Sequence, residues 1–309
     1  MTPNELDPAN DPLWNPASSE PDPFLSGLES SLSTLRPPPA PPSLARIHAR
    51  KLGAAGMGLL AAGLALAFLL SPPRDPVPSW MVRTASGDSP WKLGDWLDVG
   101  GSAARADVPR LGRLEFSPGS RVRLIASAPD EQRIELERGS LDAFIVAPPR
   151  LFFVETPGAT AIDMGCAYIL DVDERGDALL RVSLGWVELV RDDRIARVPS
   201  GSLCAVDRVR GPGLPRFADA SHEFADAILD YERNQPGALD SLLAIARTRD
   251  ALTLWHVLRE AQPGERERII ERIVELSPDG EGSGLDREGL ARLDHAAMER
   301  LWAFVRARW

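Results

Sequence analysis

The chain has 309 residues and a formal net charge of −10, from 35 Lys and Arg against 45 Asp and Glu. No long basic stripe offsets that balance, which argues against a nucleic-acid-binding body, because phosphate neutralisation needs clustered Lys and Arg. Its two cysteines limit it to one intramolecular disulfide.

Residues 1–51 read as a disordered cytoplasmic tail. MTPNELDPANDPLWNPASSEPDP is acidic and proline-rich, and RPPPAPPS is a stiff polyproline-like spacer. Between them, PFLSGLESSLSTL sets Phe24, Leu25, Leu28, Leu32 and Leu35 at helical spacing. A helix this short holds no core of its own: it orders on a partner or frays. Together with Trp14, these five side chains are the candidate cytoplasmic partner-binding residues.

Residues 52–71, LGAAGMGLLAAGLALAFLLS, carry no charge. At about 1.5 Å per residue they match the hydrocarbon core of a bilayer, and a helix satisfies its own backbone polar groups there. The run predicts a transmembrane helix; the alternative is a buried helix of a soluble domain. Arg46, His48, Arg50 and Lys51 precede it and Arg74 and Asp75 follow, so the expected topology is single-pass in a bacterial inner membrane, N-terminus cytoplasmic and the rest periplasmic. Gly58 with Ala62, and Gly63 with Ala67, place small residues four apart, a candidate packing surface for a homo-oligomer; a lipid-facing Ala/Gly-rich helix is the alternative.

From 79 to 209 the pattern becomes short alternating runs. RLEF, SRVRLIAS and QRIELERGSLDAFIV repeatedly set apolar side chains two apart, with SPGS, TPGA, ERGD and PSGS as turns between such runs. At least eight strands at regular spacing predict an all-β domain, a roll or irregular β-solenoid, with a sandwich as the alternative. From 220 to 309 the period lengthens: SHEFADAILDYE, GALDSLLAIARTR, ALTLWHVLRE and GERERIIERIVELSP read as helices, and DREGLARLDHAAMERLWAFVRARW as a last helix or pair with Asp286 as its cap. The expected fold class is therefore a multidomain membrane protein: one transmembrane helix, an all-β domain and a C-terminal all-α appendage.

Chemistry-bearing motifs are few. DVDERGD at 171–177 starts like a calcium loop, but Arg175 and Val182 occupy its fifth and twelfth positions, so a turn between strands fits better. His48, His222, His256 and His295 are scattered without zinc-like spacing to the cysteines, and no GxSxG elbow or phosphate-binding lysine loop occurs. No cofactor, metal or catalytic residue is expected, and the chain reads as a noncatalytic binding protein. Cys166 and Cys204 allow a disulfide with each other, one between molecules, or two buried thiols. Trp91 and Trp96 read as core anchors or as an exposed binding pair.

GRLEFSPGSRVRLIAS, IELERGSLDAFIVAPPRLFFVETPGATAIDMGCAYILDVDERG and LLRVSLGWVELV, within about Gly112 to Asp207, resemble the extracytoplasmic domain of the FecR family of bacterial transmembrane signalling regulators. The resemblance implies a periplasmic sensor or docking domain that binds an envelope protein or other periplasmic ligand and relays its state to an extracytoplasmic-function sigma factor. The tail departs from the usual arrangement, being short and proline-rich, without the His and paired-Cys pattern of zinc-type anti-sigma domains. The alternative expectation is a noncatalytic, membrane-anchored structural or assembly protein of the cell envelope.

Overall fold

In GRLEF, Leu114 and Phe116 are buried while Arg113 and Glu115 face water, because successive strand side chains take opposite faces. The same alternation builds sixteen strands among the residues that the computed structural model describes, 80–277 and 284–306. In chain order the first eight are β1 (Trp80–Thr84), β2 (Gly87–Trp91), β3 (Trp96–Asp98), β4 (Ala104–Val108), β5 (Gly112–Phe116), β6 (Arg121–Ala128), β7 (Glu131–Ile145) and β8 (Phe152–Glu155). There follow β9 (Thr160–Asp163), β10 (Ala167–Val172), β11 (Ala178–Leu184), β12 (Trp186–Arg191), β13 (Arg194–Pro199), β14 (Ser202–Asp207), β15 (Gly211–Pro212) and β16 (Arg216–Phe217).

The long strand β7 organises the rest. Its first half pairs with β6 and, in parallel, with β8; its second half pairs antiparallel with β5 and β10. The change falls at Gly139, where φ is 101° and a Cβ would collide with Ser120. Only glycine takes that backbone conformation without strain, so this residue inside the alternating run lets one strand serve two parts of the sheet. From β7 the hydrogen-bonded path runs through β8, β9 and β12 to β13 on one side, and through β10, β11 and β14 to β15 on the other.

This arrangement corrects the expected fold class. A roll would close on itself and a solenoid would stack parallel strands, whereas this path is open and β7 with β8 is its one parallel pair among the described residues. Nor is it a sandwich of two separate sheets, since β7 joins both halves by hydrogen bonds. With the C-terminal helices included, the fold is mixed α/β around an open sheet. Period-two patterning identified the strands but carries no information about which edges pair.

Six helices follow: α1 (His222–Glu232), α2 (Ala238–Ile245), α3 (Ala251–Glu260), α4 (Pro263–Glu275), α5 (Arg287–Ala291) and α6 (His295–Arg306). Ser221 caps α1 by accepting the Phe224 N–H, and Pro263 opens α4 where its missing N–H is harmless. Asp286 caps α5, its carboxylate accepting the Gly289 N–H at 2.9 Å. The strands bury one core around Phe116, Ile134, Leu141 and Phe152; the helices bury another around Phe224, Trp255, Ile269 and Leu301, joined by Leu214 and Phe217 from the strand side. All described residues belong to one compact unit, Pro73–Trp309.

The expected transmembrane helix, residues 52–71, lies outside the described residues. Among the described residues no helix is long and apolar enough to cross a membrane. The single-pass inner-membrane placement, with a cytoplasmic N-terminus and periplasmic C-terminal domains, is corrected accordingly: among the described residues no spanning helix carries it.

Candidate functional site

Strand β13 ends one side of the sheet, and an end strand presents backbone groups without a strand to pair them. Helix α3 supplies partners. His256 Nε2 accepts the Arg197 backbone N–H at 2.9 Å, and Arg259 donates to the Ile195 carbonyl at 2.9 Å. His256 Nδ1 lies 2.8 Å from the Leu252 carbonyl, which only accepts, so Nδ1 carries the proton and Nε2 is free to accept. Burial pushes the imidazole pKa down to about 3, and the Arg259 and Arg197 charges reinforce the shift. The ring is held neutral, as its role requires.

The Arg197 side chain continues the junction. Its guanidinium centre lies 5.1 Å from the Trp302 ring, 5.3 Å from Trp255 and 5.9 Å from Trp186, and it ion-pairs with Glu188 at 3.3 Å and Glu299 at 2.9 Å. Glu188 is buried and also receives Arg150 at 2.7 Å. One cation thus ties β12, β13, α3 and α6 together through cation–π and ionic contacts in a partly dry setting. This junction fastens the helices to the sheet edge and leaves the sheet's outer face bare.

On that face β7, β10 and β11 run side by side, with Phe144 opposite Ala167, which is opposite Leu184, and Asp142 opposite Ile169, which is opposite Arg181. Phe144, Ile169 and Leu184 are 41%, 40% and 57% exposed, and Val146, just beyond β7, is 66% exposed. Arg113 of β5 stands opposite Phe144 with its guanidinium 6.0 Å from the ring, and Arg181 pairs with Asp171. The result is an apolar patch with a charged rim, the composition of a protein-docking surface.

The sequence-derived candidates fare differently. Trp14, Phe24, Leu25, Leu28, Leu32, Leu35, Gly58, Ala62, Gly63 and Ala67 lie outside the described residues. Of the states that the sequence leaves open for Cys166 and Cys204, the structure has two free, buried thiols. Cys204 sits in β14 opposite Leu180, whereas Cys166 precedes β10, so β11 lies between them. Two strand spacings are about 9.6 Å, beyond the roughly 7 Å Cα separation a disulfide can bridge. The Cys166 thiol donates to the Asp163 carboxylate, and burial pushes the Asp163 pKa up to about 6.

Trp91 is a core anchor, edge-on to Trp80 and Phe116, while Trp96 lies against the guanidinium groups of Arg121 and Arg123. Residues 173–177 form the turn between β10 and β11, with the Asp173 carboxylate accepting the Arg175 and Asp177 N–H groups. His256, Arg197 and Phe144 were not singled out from sequence. The available signal for His256 was a lone imidazole inside the apolar run LTLWHVL.

No family model matches the chain, and no curated protein matches it. Among solved structures it is similar to a candidate anti-sigma factor from Parabacteroides distasonis, in two crystal structures. One shares 19% identity over 44% of this chain with a TM-score of 0.35; the other shares 20% over 45% with a TM-score of 0.35. The match spans 65% of that protein's length, just under two thirds. The likeness is distant.

Proposed function

We propose that this protein is a noncatalytic regulator that acts by docking a protein partner on the outer face of β7, β10 and β11, and that the partner it controls is an extracytoplasmic-function sigma factor. The observation that carries the docking reading is the bare apolar patch of Phe144, Val146, Ile169 and Leu184. Four large apolar side chains grouped on one open sheet face, with cations and carboxylates around them, match what a partner buries in the centre of an interface. The FecR-like order of segments, which includes β7, β10 and β11, supports a regulatory role and suggests the sigma factor.

The test uses the full chain and the purified sigma factors of the same cell, with direct affinity measurement and a promoter reporter. Phe144→Asp with Ile169→Asp should weaken binding at least tenfold and release reporter control, with the thermal midpoint unchanged. Equal affinity in the variant would remove the docking face. Absence of binding to any sigma factor would remove that partner.

A further inference from the structure

Beside the hairpin of β14 and β15, where the C-terminal end of α1 meets the sheet, lies an open hollow of about 520 Å³. Its lining includes Val206, Arg210, Gly213, Leu229, Glu232 and Asn234. Two adjoining hollows, of about 370 and 440 Å³, share Arg194 with it and extend it along α3 and the starts of α2 and α4. Together the three hollows make a furrow around Arg194.

Glu232, the last residue of α1, is the distinctive group. One of its oxygens, Oε1, accepts the Leu214 N–H at 2.7 Å, which fixes the carboxylate in place. Gly213 makes room for it: a Cβ there would lie 2.5 Å from that same oxygen. The nearby guanidinium groups act on it through space but form their ion pairs elsewhere, Arg210 with Asp207 at 3.2 Å and Arg194 with Glu260 at 3.1 Å. Among the described residues Glu232 has no ion-pair partner. A carboxylate that is positioned, partly withdrawn from water and without a direct ion pair, its ionised form favoured only through space by Arg210 and Arg194, is an unfavourable arrangement for the isolated fold.

We propose that Glu232 receives the guanidinium or ammonium group of a basic side chain presented by a partner polypeptide lying in this furrow. Charge complementarity selects that occupant: seven carboxylate residues line the three hollows against four arginines. The overall charge of −10 acts in the same direction by steering a basic segment toward the protein. Leu229, 43% exposed at the hollow, offers an apolar contact for the neighbouring residue or the alkyl stem. A free small anion is disfavoured by the same carboxylates. This assignment goes beyond the sigma-factor reading and stands if that reading fails.

The probe is N-acetyl-arginine amide, compared with N-acetyl-citrulline amide, its uncharged near-isostere, each titrated into the full chain carrying labelled Leu and Val methyl groups. Saturable shifts at Leu229 and Val206 with the arginine probe, at least tenfold weaker with the citrulline probe, are the expected result. Glu232→Gln keeps an acceptor for the Leu214 N–H and should reduce arginine-probe affinity at least tenfold with its thermal midpoint retained. The proposal is overturned by no saturable shift in the unaltered chain, or by equal binding of both probes there. The comparison in the unaltered chain decides the matter even if the variant is unstable.

Discussion

His256 stands where a neighbouring strand would: its Nε2 accepts the Arg197 backbone N–H at 2.9 Å across 59 residues of sequence. With Arg259 on the Ile195 carbonyl one turn further along α3, a helix thereby closes an open sheet edge using side chains alone. This satisfies backbone groups that otherwise template aggregation. His256→Phe removes both ring hydrogen bonds and leaves the Arg197 N–H buried without a partner. That should destabilise the fold by about 1–3 kcal/mol, lowering the thermal midpoint by roughly 2–4 °C per kcal/mol for a body of this size. Calorimetry on the full chain checks it. An unchanged midpoint would mean the edge does not depend on this contact.

Two buried titrating groups, His256 and Asp163, push stability in opposite directions with pH. A free His takes up its proton near 6.5, whereas folded His256 resists protonation down to about 3. Between those values the unfolded chain binds the extra proton, so the histidine's contribution is present above pH 6.5 and lost as the pH falls. Asp163 is the reverse: its carboxyl protonates at about 6 when folded against 3.8 in the open chain. Its contribution is full below 3.8 and disappears as pH rises through about 6. Urea melts from pH 7.5 to 4 should therefore show the unaltered protein losing stability relative to His256→Gln as pH falls, and gaining relative to Asp163→Asn. Each slope can approach about 1.4 kcal/mol per pH unit at its steepest. Parallel curves would reject the assigned environments.

What the sequence revealed, and what it hid, follows from range. Alternation in GRLEF, helical spacing in GERERIIERIVELSP and the Asp286 cap are local signals, and the structure has a strand, a helix and a capped helix there. The role of β7 in two parts of the sheet was hidden because alternation through QRIELERGSLDAFIV does not say which edges pair, and Gly139 meets Ser120 only in the fold. His256 was hidden because its partner lies in another element and a histidine in an apolar run is ordinarily core. The apolar patch was hidden for a related reason. Phe144, Ile169 and Leu184 come from three strands, and only the register brings them to one face.

Arg197 should be intolerant even of lysine. Its planar guanidinium lies close to three indoles while reaching Glu188 and Glu299, a combination an ammonium group does not reproduce. Arg197→Lys is expected to cost about 1–2 kcal/mol. Arg197→Met, which leaves the buried Glu188 with Arg150 alone, should cost about 3 kcal/mol. Both variants should shift tryptophan emission, since Trp186, Trp255 and Trp302 surround the site. Chemical melts followed by fluorescence measure both effects. A methionine variant as stable as the parent would show that the ionic contacts add nothing to the packing of the indoles.

The cysteines give a direct check on strand order. With β11 between them, Cys166 and Cys204 are held apart as buried thiols, and burial raises both thiol pKa values. A raised pKa starves each sulfur of reactive thiolate, so oxidation and alkylation are suppressed while the fold persists. Titration with a thiol reagent should find two free thiols in unfolded protein and almost none reacting in the folded protein within the same time. Incubation with a mild oxidant should leave that count unchanged. A disulfide between these two residues, recovered as a linked peptide by mass spectrometry, would require β10 and β14 to be neighbours and would overturn the pairing in which β11 separates them.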